Sequence, residues 1–273
     1  MTNEDAPVLF ELRQDGVGVI TFNRPEAMNG WTSPMGTAYF RYLQQCAADP
    51  AVKVIVVTGA GRAFCAGADL KGLQTLSSDA ASQAPTQSGD VADPGDNRHW
   101  HTTAIPKPVI AAINGACAGM GFSQAMMCDV RFAAAGAKFT TAFSQRGLIA
   151  EWGLSWTLQR AVGLAGAADL LMSGRVFLAE EAASMGVVNK VFPAETFMDE
   201  VFAYASAMAR TSSPSSWAVI KQQLYADATR TLPEAEEESI RLMKESFLRP
   251  DMKEGVASFM EKRPPKFPSY SAS

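Results

Sequence analysis

The sequence has few cysteines and histidines, the residues that most often bind zinc or form disulfide bonds. Its 273 residues include four cysteines without any CxxC spacing, and only two histidines, His99 and His101. The cysteines are Cys46, Cys65, Cys117 and Cys128. A zinc site is hard to assemble from this set, and the spacing favours free, mostly buried thiols in a reducing compartment. We therefore expect a cytoplasmic protein without a bound metal.

Basic charge and long apolar runs are also scarce. Lys and Arg total 24 against 28 Asp and Glu, which gives a net charge of -4 without a basic block. This balance argues against nucleic acid and anionic membranes as partners. No apolar run reaches the ~20 residues of a membrane span, and the first residues, MTNEDAPV, are acidic and polar. At 47% hydrophobic and 19% charged, the chain reads as one large soluble domain or a domain with an appendage.

The most informative stretch, residues 108–129, reads as a buried strand that leads through glycines into a helix. An apolar run over 109–113 ends at Asn114-Gly115, and the helix begins near Gly119-Met120-Gly121. The first amides of a helix have no partner within it, so they could bind an anion. An ordinary strand-to-helix turn explains the same residues equally well. The spacing is neither GxGxxG nor a P-loop.

A second stretch repeats this design earlier in the chain. A buried strand over 52–57 runs into a glycine-rich loop, with Asp69 placed to cap the helix that follows. Two such loops from neighbouring strands could each direct one backbone N–H at the same oxygen. Two convergent amides of this kind form an oxyanion hole.

Local patterns predict the remaining elements. Two strands over 8–13 and 17–22 form a hairpin at Asp15-Gly16, and a helix follows with Ser33 as N-cap and Pro34 in its first turn. Residues 76–97 are polar and predict a long loop. Short strands are predicted at 129–134, 138–141 and 187–191. Helices are predicted from near 152 and at 194–210, 214–229, 233–246 and 250–262.

Several motifs in order resemble those of the crotonase superfamily, the enoyl-CoA hydratases and isomerases. They are NRPEAMN (23–29), GRAFCAGADL (61–70), KPVIAAINGACAGMGFSQAMMCD (107–129), LMSGRVFLAEEAASMGVVNKVFP (171–193) and FMEKRPPKF (259–267). The resemblance implies an α/β fold, a spiral of repeated ββα units over residues 1–193 that carries the acyl-CoA site. It also implies a C-terminal helical region over 194–273 that drives assembly into a homotrimer or a dimer of trimers.

The resemblance also implies a binding site for acyl-CoA thioesters. The family stabilises an enolate at the thioester carbonyl, and position by position the two oxyanion amides are those of Ala68 and Met120. The adenosine part of CoA would lie against the backbone of 66–70, which includes Ala66, Asp69 and Leu70. Arg24 would face the phosphates, although a lone arginine is more often a solvated loop charge. No separate cofactor is implied, because coenzyme A is part of the substrate.

The resemblance leaves one candidate acid/base. Family hydratases hold a water between two glutamates, but the matching positions here are Ser123 and Phe143, which line the acyl pocket with Trp152. Glu151 matches the position where some family isomerases place their carboxylate. One carboxylate is enough to move a proton between two carbons of an enoyl-CoA. An apolar wall of Phe143, Ile149, Trp152 and Trp156 would raise the pKa of Glu151, whereas a helix N-terminus would favour its ionised form, and the sequence leaves the balance of the two open. The simpler alternative is that Glu151 only complements the start of a helix.

Three functions remain open at this stage. Double-bond isomerisation by Glu151 leads, enoyl-CoA hydration is the alternative, and a non-catalytic acyl-CoA-binding protein is the third. His99 and His101 could serve as acids or bases, but partly exposed structural histidines are about twice as common. Four tryptophans indicate either an aromatic acyl pocket or ordinary core packing. They are Trp31, Trp100, Trp152 and Trp156.

Overall fold

The fold is built on two β-sheets that the chain visits alternately. A computed structural model describes residues 5–69 and 98–270. Within them the strands are β1 (Val8–Leu12), β2 (Val17–Phe22), β3 (Val54–Gly59), β4 (Ala63–Cys65), β5 (Val109–Ile113), β6 (Ala116–Ala118), β7 (Val130–Ala134), β8 (Lys138–Thr140), β9 (Phe177–Leu178) and β10 (Lys190–Phe192). The larger sheet has the order β1-β2-β3-β5-β7-β10, and the smaller one has the order β4-β6-β8-β9.

Each turn of the chain places one strand in each sheet. The pairs β3 and β4, β5 and β6, and β7 and β8 each step from the larger sheet to the smaller one, and neighbouring turns pair in parallel. Only a short turn separates the strands of each pair, so the ends of successive turns lie side by side. The predicted α/β spiral of ββα units is therefore confirmed. The hairpin of β1 and β2 is also confirmed as an antiparallel pair.

Helices follow the strands, and after β10 helices are the regular elements of the described chain, the last of which ends at Met260. In the described residues they are α1 (Ser33–Ala48), α2 (His101–Ala104), α3 (Met120–Met126), α4 (Leu154–Ser173), α5 (Ala179–Met185), α6 (Phe197–Thr211), α7 (Pro214–Asp227), α8 (Leu232–Ser246) and α9 (Pro250–Met260). The predicted C-terminal helices are present within a few residues of their expected ends, and Pro214 begins its helix as expected. None of the described helices combines the length and the apolar character needed to cross a bilayer. Trimer formation stays a prediction.

Three local predictions need correction. The N-cap of α1 is Thr32, whose hydroxyl accepts the Met35 N–H at 3.4 Å, so Ser33 is already helical. Residues 187–188 are buried in the turn after α5, and the strand begins only at Lys190. The helix expected near Trp152 begins at Leu154, because Trp152 has a left-handed backbone with φ of 57°. The predicted loop over 76–97 and Leu70 lie outside the described residues.

Apolar side chains cover both faces of the larger sheet, which explains why β5 is apolar throughout and β3 is apolar over its first four residues. One cluster packs between that sheet, α1 and the smaller sheet, and the second packs under α6. All four cysteines fall within the described ranges and are buried, free thiols, as predicted. Helix α7 is tied to the core by a buried ion pair, with Lys221 Nζ 2.7 Å from Asp129 Oδ2.

Candidate active site

The two glycine-rich loops meet at the ends of β4 and β6. Gly67 and Gly119 both have positive φ, 106° and 48°, which side chains rarely adopt. A Cβ added to Gly119 would lie 3.8 Å from the Cα of Gly67, and one added to Gly67 would lie 3.4 Å from the Ala118 carbonyl oxygen. The two backbones are therefore in van der Waals contact directly before Ala68 and Met120.

Gly121 allows this approach. A Cβ on Gly121 would lie 2.2 Å from the carbonyl oxygen of Cys65 and 2.6 Å from its Cβ. No side chain fits at these distances, so α3 can pack against β4 only with glycine at this position. The sequence indicated that Gly121 allows a close backbone approach, but it did not identify β4 as the strand that approaches.

The amides of Ala68 and Met120 are available as donors. Trp31 forms a parallel bridge with the 67–69 segment, in which its N–H donates to Gly67 O at 2.7 Å and its carbonyl accepts the Asp69 N–H at 3.1 Å. In this pattern the N–H of Ala68 points away from Trp31. Met120 is the first residue of α3, so its N–H has no partner inside the helix. Within residues 5–69 and 98–270, neither N–H has a protein acceptor.

Arg24 braces the loop that carries Ala68. Its guanidinium donates to Asp69 Oδ2 at 2.9 Å and to the carbonyl oxygen of Gly30 at 2.5 Å. Buried Asn29 accepts the Arg24 N–H at 2.8 Å, while the backbone N–H of Ala66 donates to Met28 O at 3.1 Å. The ionic contact thus fixes Arg24 beside the predicted CoA-binding backbone, and its contact with phosphate stays a prediction.

A cavity opens beside the Ala68 loop. It has a volume of about 760 Å³, and its lining includes Trp31, Ala68 and Asp69. Residues of α1 as far as Arg41 also line it. An elongated ligand has room here to extend from the Ala68 backbone along the surface of α1.

The loop before α4 brings Glu151 next to α3. The Ser123 hydroxyl is fully buried and lies 3.4 Å from the Glu151 carbonyl oxygen and 3.3 Å from that of Gly119. The Glu151 side chain is half-buried, and this burial raises the pKa of its carboxyl above the ordinary value. The nearby Trp152 indole N–H acts in the opposite direction. The structure therefore joins Ser123, Glu151 and the Met120 turn.

The apolar wall expected around Glu151 is only partly present. Phe143 is buried, and its ring lies 3.9 Å from where a Cβ on Gly119 would stand, so it covers the Met120 turn. Ile149 is 78% exposed and Trp156 is 38% exposed, with Arg160 stacked on the Trp156 ring. These two side chains are therefore too exposed to form part of an apolar wall. Trp152 and partial burial supply the environment instead.

His99 is buried, which corrects the expectation of a partly exposed histidine. Its ring lies between two indoles, with centroids 5.0 Å from Trp31 and 4.8 Å from Trp152. Desolvation lowers the pKa of His99 to about 4, so the imidazole is neutral at physiological pH. His101 is half-buried and contacts Trp100, which is 56% exposed. Trp31 and Trp152 therefore join the site, whereas Trp100 and Trp156 do not.

Comparison with known proteins identifies the family. The family model described as Enoyl-CoA hydratase/isomerase matches residues 12–270, nearly the whole chain. The chain therefore belongs to the enoyl-CoA hydratase/isomerase family, within the crotonase superfamily. A structure of an enoyl-CoA hydratase from Geobacillus kaustophilus has a TM-score of 0.86 at 28% identity, with 97% of this chain and 98% of that chain covered.

Individual relatives carry different activities. A 1,2-epoxyphenylacetyl-CoA isomerase from Escherichia coli is 35% identical over 257 residues, covering 93% of this chain and 95% of that protein. A mitochondrial enoyl-CoA hydratase from Pongo abelii is also 35% identical, covering 93% and 84%. The structure of an enoyl-CoA hydratase from Mycobacterium marinum is 46% identical, with a TM-score of 0.69 and coverage of 83% and 100%. The likeness alone therefore does not distinguish isomerisation from hydration.

Proposed function

We propose that the protein shifts the double bond of an enoyl-CoA thioester, with Glu151 as its single acid/base. The substrate is ionised at C2 or C4, and the same carboxylate returns the proton at the other carbon. The observation that carries this proposal is that the Ser123 hydroxyl joins the backbone carbonyl of half-buried Glu151 to that of Gly119, which places residue 151 beside the Met120 turn. A carboxyl with a raised pKa suits a group that must both accept and return a proton.

The oxyanion hole of the proposed site consists of the Ala68 and Met120 amides. Both N–H groups lack a protein acceptor in the described residues, and the loops that carry them are in contact. As the proton leaves, negative charge collects on the thioester oxygen, where two amides would stabilise it. Removal of one such donor typically costs about 3 kcal/mol of transition-state stabilisation. The hole would thus supply much of the catalysis.

Hydration is the second candidate, since several relatives are named enoyl-CoA hydratases. It would need groups that both activate a water and deliver a proton. At the two positions where family hydratases place glutamates, the Ser123 hydroxyl donates to two backbone carbonyls of the described residues, and Phe143 is a buried hydrocarbon. Neither residue can replace a carboxylate as a base, so the site favours isomerisation.

Glu151→Gln tests the proposal. The rate of isomerisation, monitored through the absorbance of the conjugated thioester, should fall by about 10²–10⁴-fold. Binding of a saturated acyl-CoA, measured by calorimetry, should remain within about twofold, because the amide keeps the size of the carboxyl. The matched control is Glu195→Gln, which changes an exposed carboxylate outside the site and should leave both quantities unchanged.

Each outcome selects one function. Loss of isomerisation with retained binding supports the proposal. Loss of a hydration activity instead would favour the hydratase, and binding without any wild-type reaction would favour the non-catalytic acyl-CoA-binding protein. Full activity in Glu151→Gln would remove Glu151 from the mechanism.

A further inference from the structure

Three aromatic side chains from distant parts of the chain form a continuous stack through the site. His99 is 4% exposed and lies between Trp31 and Trp152, with both interplanar angles at 35°. The edge of Phe40 closes a further side of the imidazole, at 5.9 Å between centroids. A ring held on three sides in this way has little freedom to move.

The two ends of this stack are attached to the two halves of the proposed site. At one end, both backbone hydrogen bonds of Trp31 go to the residues on either side of Ala68. At the other end, Trp152 directly follows Glu151 and has a left-handed backbone, with φ of 57°. A bulky residue adopts this conformation only when its surroundings enforce it.

The Trp152 indole places a polar N–H in the protein interior. Its Nε1 is buried and has no hydrogen-bond partner within residues 5–69 and 98–270. The Glu151 carboxyl is the group whose ionised form this N–H favours. Because Trp152 directly follows Glu151 in the chain, displacement of Trp152 would also shift the backbone from which the carboxylate projects.

Buried polar groups of α3, the helix that carries Met120, lie near His99, although the imidazole Nδ1 has no hydrogen-bond partner within the described residues. Gln124 is fully buried and donates to Tyr39 Oη at 2.8 Å and to Thr102 Oγ1 at 3.0 Å. This amide acts to raise the pKa of His99, against the larger lowering by burial, and its Oε1 has no hydrogen-bond partner within the described residues. The neutral ring thus has no evident role as an acid or base at physiological pH, but a clear role as a spacer.

We infer that the Trp31–His99–Trp152 stack is a positioning device that holds the Glu151 carboxylate at a fixed place relative to the Ala68 amide. His99 is then a positioning residue and not a catalytic one. The catalytic part of this inference rests on the proposed function of Glu151. The mechanical part, a coupling between His99 and Trp152, does not require turnover.

Two substitutions of His99 test the inference in the full-length protein. His99→Ala removes the middle of the stack, whereas His99→Phe keeps a planar ring and removes both nitrogens. We expect His99→Ala to lower kcat by about 10–100-fold with KM within about threefold, because displacement of a catalytic group by about 1 Å costs up to about 10²-fold. His99→Phe should restore kcat to within about fivefold of the wild type. His101→Ala is the control and should have no effect on kcat.

A second readout is independent of activity. The ¹⁵N–¹H resonance of the Trp152 indole should move when Glu151→Gln removes the neighbouring charge. This movement should persist with His99→Phe and fall to less than half with His99→Ala, all at one pH. If His99→Ala retains both the resonance movement and kcat, the inference is overturned.

The remaining outcomes separate the two proposals. If His99→Phe is as impaired as His99→Ala, the imidazole nitrogens matter and the spacer role is wrong. If the wild type transforms no enoyl-CoA but the resonance behaves as expected, the proposed function fails and the positioning role of the stack stands. If kcat is lost while the resonance movement is unchanged, the proposed function stands and the inference fails.

Discussion

Replacement of Gly121 by alanine should separate the two oxyanion loops. The new Cβ would lie 2.2 Å from the Cys65 carbonyl oxygen, whereas real contacts of this kind begin near 3.0 Å. Helix α3 and strand β4 must therefore move apart by about 0.8 Å, the difference of the two distances. Since Gly121 directly follows Met120, and Cys65 lies three residues before Ala68, this opening acts directly on the distance between the two amides.

The expected loss follows from that displacement. A shift of about 1 Å in a catalytic group costs up to about 10²-fold in rate, and overpacking a core contact costs about 1–3 kcal/mol of stability. We expect kcat for isomerisation to fall about 100-fold and urea unfolding to show a loss of about 2 kcal/mol.

A matched glycine provides the control for this experiment. Gly255→Ala adds the same methyl group within α9, where the nearest atom outside the helix would be 3.7 Å away in Phe267. It should leave kcat unchanged and raise stability by about 0.5–1 kcal/mol, because alanine favours a helix over glycine. Wild-type kcat in a folded Gly121→Ala protein would refute the assignment of these loops to catalysis.

Three further predictions concern stability and reactivity. Burial raises the pKa of Glu151 in the folded state, so the stability of the wild type should fall as pH rises through that pKa. In urea unfolding at pH 7, Glu151→Gln should therefore be more stable than the wild type. The two proteins should not differ well below pH 4.5, the ordinary pKa of the group. Lys221→Met should cost about 3 kcal/mol in the same assay, since it leaves the Asp129 carboxylate without its buried cation. Burial raises the pKa of Cys65 and Cys128 to about 12, so their thiols should react with a disulfide reagent at pH 8 only after unfolding.

Local sequence signals predicted much of the fold because they reflect local physics. Asp15-Gly16 fits a tight turn, and Pro214 fits a first helical turn whatever the rest of the chain does. The α1 N-cap was misplaced by one residue because Thr32 and Ser33 both carry a hydroxyl that can cap a helix. The turn at 187–188 was wrongly predicted as a strand because two adjacent valines can be buried in a turn as well as in a strand.

The arrangement of the site depended on contacts between distant residues. The family motifs indicated Ala68, Met120 and Glu151, but not the Ser123 contact with Glu151 or the brace between Arg24 and Asp69. His99 follows a polar stretch, which suggested exposure. Its burial arises from Trp31 and Trp152, which periodicity cannot bring together.

The most direct measurement of the central claim is the fate of the substrate protons. The protein is incubated in heavy water with 3-enoyl-CoA and 2-enoyl-CoA thioesters, and the products are analysed by mass spectrometry. A single carboxylate acting on an enolate predicts deuterium at C2 or C4, interconversion of the two thioesters and no added water. A product heavier by one water, or isomerisation that is unchanged in Glu151→Gln, would contradict the account.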